Sequence, residues 1–207
     1  MIIQAGDDML YYMLNKPQGC VTARSDAVHK TVMDCFPPEL AEKLHPVGRL
    51  DKDTCGLLIL TDDGDLDFKI MQPDRHISKT YFFYAVGTMT DEKISLLENG
   101  IPMAGFTTKE AVFSFGRKHR IGELEDFMPA QRRERYMKNP NGAAFSASIT
   151  ICEGKKHQVK RMLEAVGCRI FYLRRDKIGA LSLDSSLRQG EFRQLTEDEV
   201  ILLKQHL

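Results

Sequence analysis

The sequence predicts an α+β fold. Strand-like runs and helical patterns mix without strict alternation, no internal repeat or low-complexity tract interrupts them, and 207 residues suffice for one domain of ordinary size or two small lobes. A chain of this length buries about 70% of its unfolded surface on folding, so neither a disulfide nor a metal is required to hold it.

Apolar, β-branched and aromatic runs place strands near 10–14 (LYYML), 56–60 (GLLIL), 79–87 (KTYFFYAVG), 108–115, 143–151 and 168–174. A helix over 90–99 opens on Thr90 and Asp91 and stops at Gly100, and one over 196–206 opens on the capping-box pattern Thr196-x-x-Glu199. In 155–166, Val159, Met162, Leu163 and Val166 follow i, i+3, i+4, i+7 spacing, and Gly167 supplies a stop. His157, Lys160, Arg161 and Glu164 therefore lie off the core-facing stripe. Segment 116–142 has no clean period and is dense in charge, Gly and Pro, which reads as a long basic loop or inserted hairpin.

The five cysteines (Cys20, Cys35, Cys55, Cys152, Cys168) are odd in number and never form C-x-x-C. That argues against a disulfide framework and a zinc cluster, and for reduced thiols in a cytoplasmic protein. No basic n-region precedes an apolar run, and no apolar stretch approaches bilayer length. Net charge is zero, but unevenly spread: residues 116–177 hold 15 Lys and Arg against 7 Asp and Glu. A polyanion would meet the later half, unless this is a solvated basic surface beside an acidic one.

The densest chemical signal is HPVGRLDKDTCGLLILTDDGDL, His45 to Leu66. Arg49 and Asp51 flank one leucine, and a glycine leads into four apolar residues that form a buried strand, which puts a carboxylate on a turn fixed to a rigid element. Asp51, Asp53, Gly56 and Asp62 also occupy positions 1, 3, 6 and 12 of a calcium-loop pattern. Cys55 and Ile59 at positions 5 and 9 offer no side-chain oxygen, and a strand stands where a loop is required. Taken alone, Asp51 fits equally a residue that caps a turn and pairs with Arg49.

The segment closely resembles the central motif of RNA pseudouridine synthases of the bacterial ribosomal small-subunit pseudouridine synthase A family, G-R-L-D-x-x-T-x-G-L-L-x-L-T-x-D-G. Three further motifs follow the family order: Lys16-Pro17-Gln18-Gly19, Lys79-Thr80-Tyr81 and Glu153-Gly154-Lys155-Lys156-His157-Gln158-Val159-Lys160-Arg161-Met162. The ending, Ile178-Gly179 and Gly190 to Thr196, is similar as well, so the resemblance runs from Leu10 onward.

The resemblance implies a mixed, largely antiparallel sheet with flanking helices and an active-site cleft across the sheet. It implies isomerisation of uridine to pseudouridine in ribosomal RNA, small-subunit rather than large-subunit, by a monomer without cofactor or metal. Asp51 matches the essential aspartate, and Lys160 matches the cation that pairs with it, usually arginine. Tyr81 matches the tyrosine that stacks on the target base; on residues alone it is one of four consecutive aromatics, any of which could be core. Alternation puts Tyr81 and Phe83 on one face and Phe82 and Tyr84 on the other. A uridine must leave its stack to react. Lys16, Arg49, Lys79, Lys155, Lys156, His157, Gln158, Arg161 and Arg174, with Arg169, Arg175 and Lys177, are the expected substrate and RNA contacts. Family members often carry a small RNA-binding module ahead of the catalytic domain. Only about fifteen residues precede Lys16, so none is expected, and the basic 116–142 segment is its expected substitute.

Two other classes compete. A non-catalytic RNA-binding or ribosome-assembly protein would tolerate loss of the Asp51 carboxylate. A glycosidase pairing Asp51 with Asp53 or Glu153 would release a free base.

Overall fold

The computed structural model describes residues 9–205. The architecture is α+β, with largely antiparallel strands and flanking helices. The chain forms two compact units: His76–Ile178, and the segments on either side of it. Among the described residues, no helix is long and apolar enough to cross a membrane.

The first unit opens with β1 (Tyr11–Lys16), a 3-10 turn (Val32–Cys35), α1 (Pro38–Ala41), β2 (His45–Val47), β3 (Cys55–Thr61) and α2 (Gly64–Met71). All seven residues of β3 are buried, which is why they read as an unbroken apolar run rather than an alternating one. β1 pairs antiparallel with β3 from Tyr11–Thr61 to Lys16–Gly56, and β2 takes the other edge of β3 at Ile59–Thr61. This argues against the calcium pattern: Asp51 and Asp62 lie on either side of a paired seven-residue strand about 20 Å long, where a calcium site needs a loop. The helix α2 has no counterpart among the expected elements. It forms because Asp63 caps it, accepting from the Leu66 amide at 2.9 Å.

The second unit contains β4 (Lys79–Val86), α3 (Asp91–Asn99), β5 (Pro102–Met103), β6 (Phe106–Thr107), β7 (Ala111–Arg120), a 3-10 stretch (Ile121–Phe127), α4 (Ala130–Met137), β8 (Ala143–Ile151), α5 (Gln158–Ala165) and β9 (Arg169–Ile178). Its sheet runs β9-β4-β8-β7, every pairing antiparallel. β4 alternates as expected: Tyr81, Phe83 and Ala85 are buried, Phe82 and Tyr84 half-buried. The α5 stripe of Val159, Met162, Leu163 and Val166 is buried too. Gly100 ends α3 at φ +95, where a Cβ would meet the Thr108 carbonyl at 2.5 Å.

Segment 116–142 is the end of a β7–β8 hairpin, Arg120 pairing with Ala143, and its connection is helical rather than an irregular loop. β7 continues through a bulge between Phe115 and Lys118 to Arg120, and the 3-10 stretch and α4 follow. Aromatic contacts hold this insertion to the sheet: Phe127 lies 4.6 Å from Tyr84 and 5.3 Å from Tyr172, and Tyr136 5.5 Å from Phe171, ring to ring.

After β9 the chain returns to the first unit through β10 (Leu181–Ser182), β11 (Phe192–Gln194) and α6 (Glu197–Lys204). β11 pairs with β1 on the edge opposite β3. The capping box at Thr196 and Glu199 forms, and α6 ends at Lys204; the last two residues of the expected 196–206 helix fall at and beyond the edge of the described residues.

Candidate active site

In the first unit, Asp51 opens a tight turn closed by the Thr54 amide donating to the Asp51 carbonyl at 3.1 Å. Lys16 sits beneath it, fully buried. Its ammonium donates to the carbonyls of Thr54 (2.8 Å), Pro17 (3.0 Å), Asp51 (3.1 Å) and Lys52 (3.4 Å). The Gly19 amide also donates to the Lys52 carbonyl at 2.8 Å, and the Gln18 amide group to the Asp53 carbonyl at 3.0 Å. Every carbonyl from 51 to 54 is thus held by the Lys-Pro-Gln-Gly segment. Just before the turn, the Thr22 hydroxyl accepts from the Leu50 amide (3.1 Å) and donates to its carbonyl (2.9 Å). Burial pushes the Lys16 pKa down, against the fields of Cys20, Cys55, Asp53 and Asp51, which push it up. The Asp51 side chain is half-buried on this immobilised turn, and Arg49 is exposed.

In the second unit, Tyr81 is 8% exposed and stands opposite Arg175 in the β4–β9 ladder; Arg175 is itself 3% exposed. Lys79, two residues along the same face, donates to the Ile77 carbonyl at 2.9 Å. Burial lowers the Lys79 pKa and the Arg175 charge lowers it further. Lys160 and Arg161 are half-buried on the first turn of α5.

The loop before α5 exposes Lys155, Lys156 and His157. His157 takes a left-handed conformation (φ 54, ψ 29), so α5 starts at Gln158 rather than at 155. Gln158 is buried and bridges the loop: its oxygen accepts from the Lys155 amide at 2.9 Å and its nitrogen donates to Glu153. Glu153 also accepts from the Lys109 amide at 2.9 Å. At the tip of the β5–β6 hairpin, the Phe106 ring carries the Lys155 ammonium at 4.2 Å and the Arg161 guanidinium at 5.4 Å.

A family model for RNA pseudouridylate synthases matches residues 10–165. The chain belongs to the RNA pseudouridylate synthase family. It is 38% identical over 200 residues to an uncharacterized RNA pseudouridine synthase of Bacillus subtilis, covering 96% of this chain and 74% of that protein. Ribosomal small subunit pseudouridine synthase A of Escherichia coli is 38% identical over 192 residues, which is 92% of this chain and 72% of the relative. A crystal structure of a pseudouridylate synthase superposes with a TM-score of 0.79 at 35% identity, covering 97% of this chain and 76% of that one.

Against this family background, three expected RNA contacts are buried in the structure. Lys16 (fully buried) and Gln158 (3% exposed) brace the Asp51 turn and the Lys155–His157 loop from within. Arg175 is similarly internal, whereas Arg174 is half-exposed and held by Asp176 at 2.6 Å. Thr22 and Phe106 carry no signal of a site role in the sequence. Glu153 carries one, as the first residue of the downstream motif.

Proposed function

We propose that the chain isomerises a specific uridine to pseudouridine in ribosomal RNA, small-subunit by the likeness of its relatives, acting as a monomer in the cytoplasm. The observation that carries this reading is the Asp51 turn: a half-buried carboxylate on a backbone whose four carbonyls are all held from below. Such a group serves a reaction that needs position rather than mobility.

The reaction breaks the bond between ribose carbon 1 and uracil N1, turns the base, and forms the bond to carbon 5. N1 gains a proton and carbon 5 loses one, so no atom enters or leaves overall. An ionised Asp51 stabilises or captures the electron-poor sugar once the uridine has been flipped out. Tyr81 stacks on the base and assists loss of the carbon 5 proton. Lys160 stands at the family's cationic position on α5 as a point charge without the arginine fork. Lys155, Lys156, Arg161 and the exposed Arg49 meet phosphates.

Pseudouridine mapping in total RNA with and without the gene should reveal one missing ribosomal site, which the purified protein restores. Asp51→Asn should lose about a thousandfold or more in activity while still binding RNA. Retained activity in that variant would leave the chain an RNA-binding protein only, and free uracil among the products would make it a glycosidase.

A further inference from the structure

Reversing the face of β4 that carries Tyr81 brings up two cross-strand rows. Val112, Thr150, Thr80 and Lys177 form one, and Ser114, Ser148, Phe82 and Arg174 the other. Directly opposed residues in antiparallel strands share a face. This face is open: Val112 is 67% exposed, Ser114 and Lys177 are exposed, and the remaining members other than Arg174 are half-buried. A sheet face left to water by a globular protein normally carries no large rings, yet Phe82 lies at its centre.

Arg174 explains what the ring supports. Its guanidinium lies 5.3 Å from the Phe82 ring centroid, and Asp176 grips it through Nε at 2.6 Å and Nη2 at 3.3 Å. The side chain remains 39% exposed. A planar cation fixed by a carboxylate on one edge and a ring below is a preformed stacking surface for a nucleobase. Farther along the face, the insertion packs on Tyr84 and exposes Arg132, Arg133 and Arg135 on α4. Segment 116–142 holds seven Lys and Arg against four Asp and Glu.

We propose that this face binds a second, single-stranded segment of the RNA substrate, one base stacking on Arg174 and the phosphates beside it meeting the insertion. The proposal rests on the reading that the chain works on RNA, and it adds a contact surface on the reverse of the strand that carries Tyr81. Single-stranded RNA is the fitting occupant because a stacking plane reads only an unpaired base, and the cations beside it match a phosphate backbone.

The test uses the full chain and a labelled single-stranded RNA of about 12 nucleotides, followed by anisotropy. Ser114→Glu places a carboxylate in the row of Phe82 without touching the core, and should raise Kd about tenfold with an unchanged circular dichroism spectrum. Phe82→Leu keeps apolar bulk but removes the ring, and should raise Kd about fivefold. RNA carrying 5-bromouridine should photo-cross-link to peptides of β4 or β9. Wild-type affinity in both variants, with cross-links confined elsewhere, would overturn the platform. That failure is separable from failure of the functional reading: pseudouridine formation by a chain whose Ser114→Glu variant binds normally removes only the platform. Platform-dependent binding by a chain that makes no pseudouridine removes only the isomerase assignment.

Discussion

Each unit presents chemistry on a loop braced by one buried polar side chain, but the two braces differ in kind. In the first unit a charged ammonium, Lys16, gathers four carbonyls around the Asp51 turn. In the second a neutral amide, Gln158, ties the Lys155–His157 loop to Glu153. Removing one partner from a buried charged network costs more than removing a neutral hydrogen bond. The difference teaches that the turn bearing Asp51 is built to stay put, whereas the loop bearing Lys155, Lys156 and His157 is tied more loosely.

That contrast can be broken directly. Lys16→Met leaves the carbonyls of the turn without their donor and should cost about 3–5 kcal/mol in stability, read as a lowered denaturation midpoint, with kcat falling at least about a hundredfold. A normal kcat in a folded Lys16→Met protein would show that the turn does not depend on its strut. Gln158→Leu should cost about 1–3 kcal/mol and act on KM for RNA more than on kcat. An equal loss in both would mean that the second brace also serves the chemical step.

The first unit has an acid-sensitive clasp as well. Arg193 donates to Asp184 at 2.6 Å and to both Glu199 oxygens at 2.7 Å. Bonds from Ser186, then from Arg193, hold the Asp184 carboxyl down at about 2, and Arg193 holds Glu199 below its usual value. Because these folded-state values lie below the unfolded ones, the stabilisation is complete above about pH 5 and is lost as pH falls toward about 2. The stability gap between wild type and Arg193→Met should therefore narrow over that window in an acid titration; a constant gap would assign the clasp to packing alone. The smallest expected effect is at Phe106. Replacing the ring by Leu should weaken RNA binding about two- to fivefold, the size of an exposed cation–π contact, and Phe106→Tyr should restore it.

The sequence was most legible where periodicity is set by local burial. β3, β4, β8 and α5 lie close to where apolar runs, alternation and helical spacing put them. The α4 segment was missed because AQRRERYM has no apolar stripe. Only Tyr136 reaches a ring on the sheet, and a single long-range anchor leaves no period. Motif order is what singles out Asp51, Tyr81 and Lys160 as candidates, whereas nothing in the sequence signals the burial of Lys16. A lysine reads as surface charge unless the carbonyls that accept it are known, and here most belong to a turn more than thirty residues away.

The return of the chain from β9 to the first unit has a consequence for synthesis. β11 covers the outer edge of β1, and the Asn15 amide and carbonyl bond to Glu191 and Gly190. A nascent or prematurely terminated polypeptide that stops before Gly190 has already made the whole of His76–Ile178, yet leaves β1 with a bare row of donors and acceptors. Such a fragment is a template for sticking to its neighbours, so protein-quality surveillance has most to do in the last moments of translation.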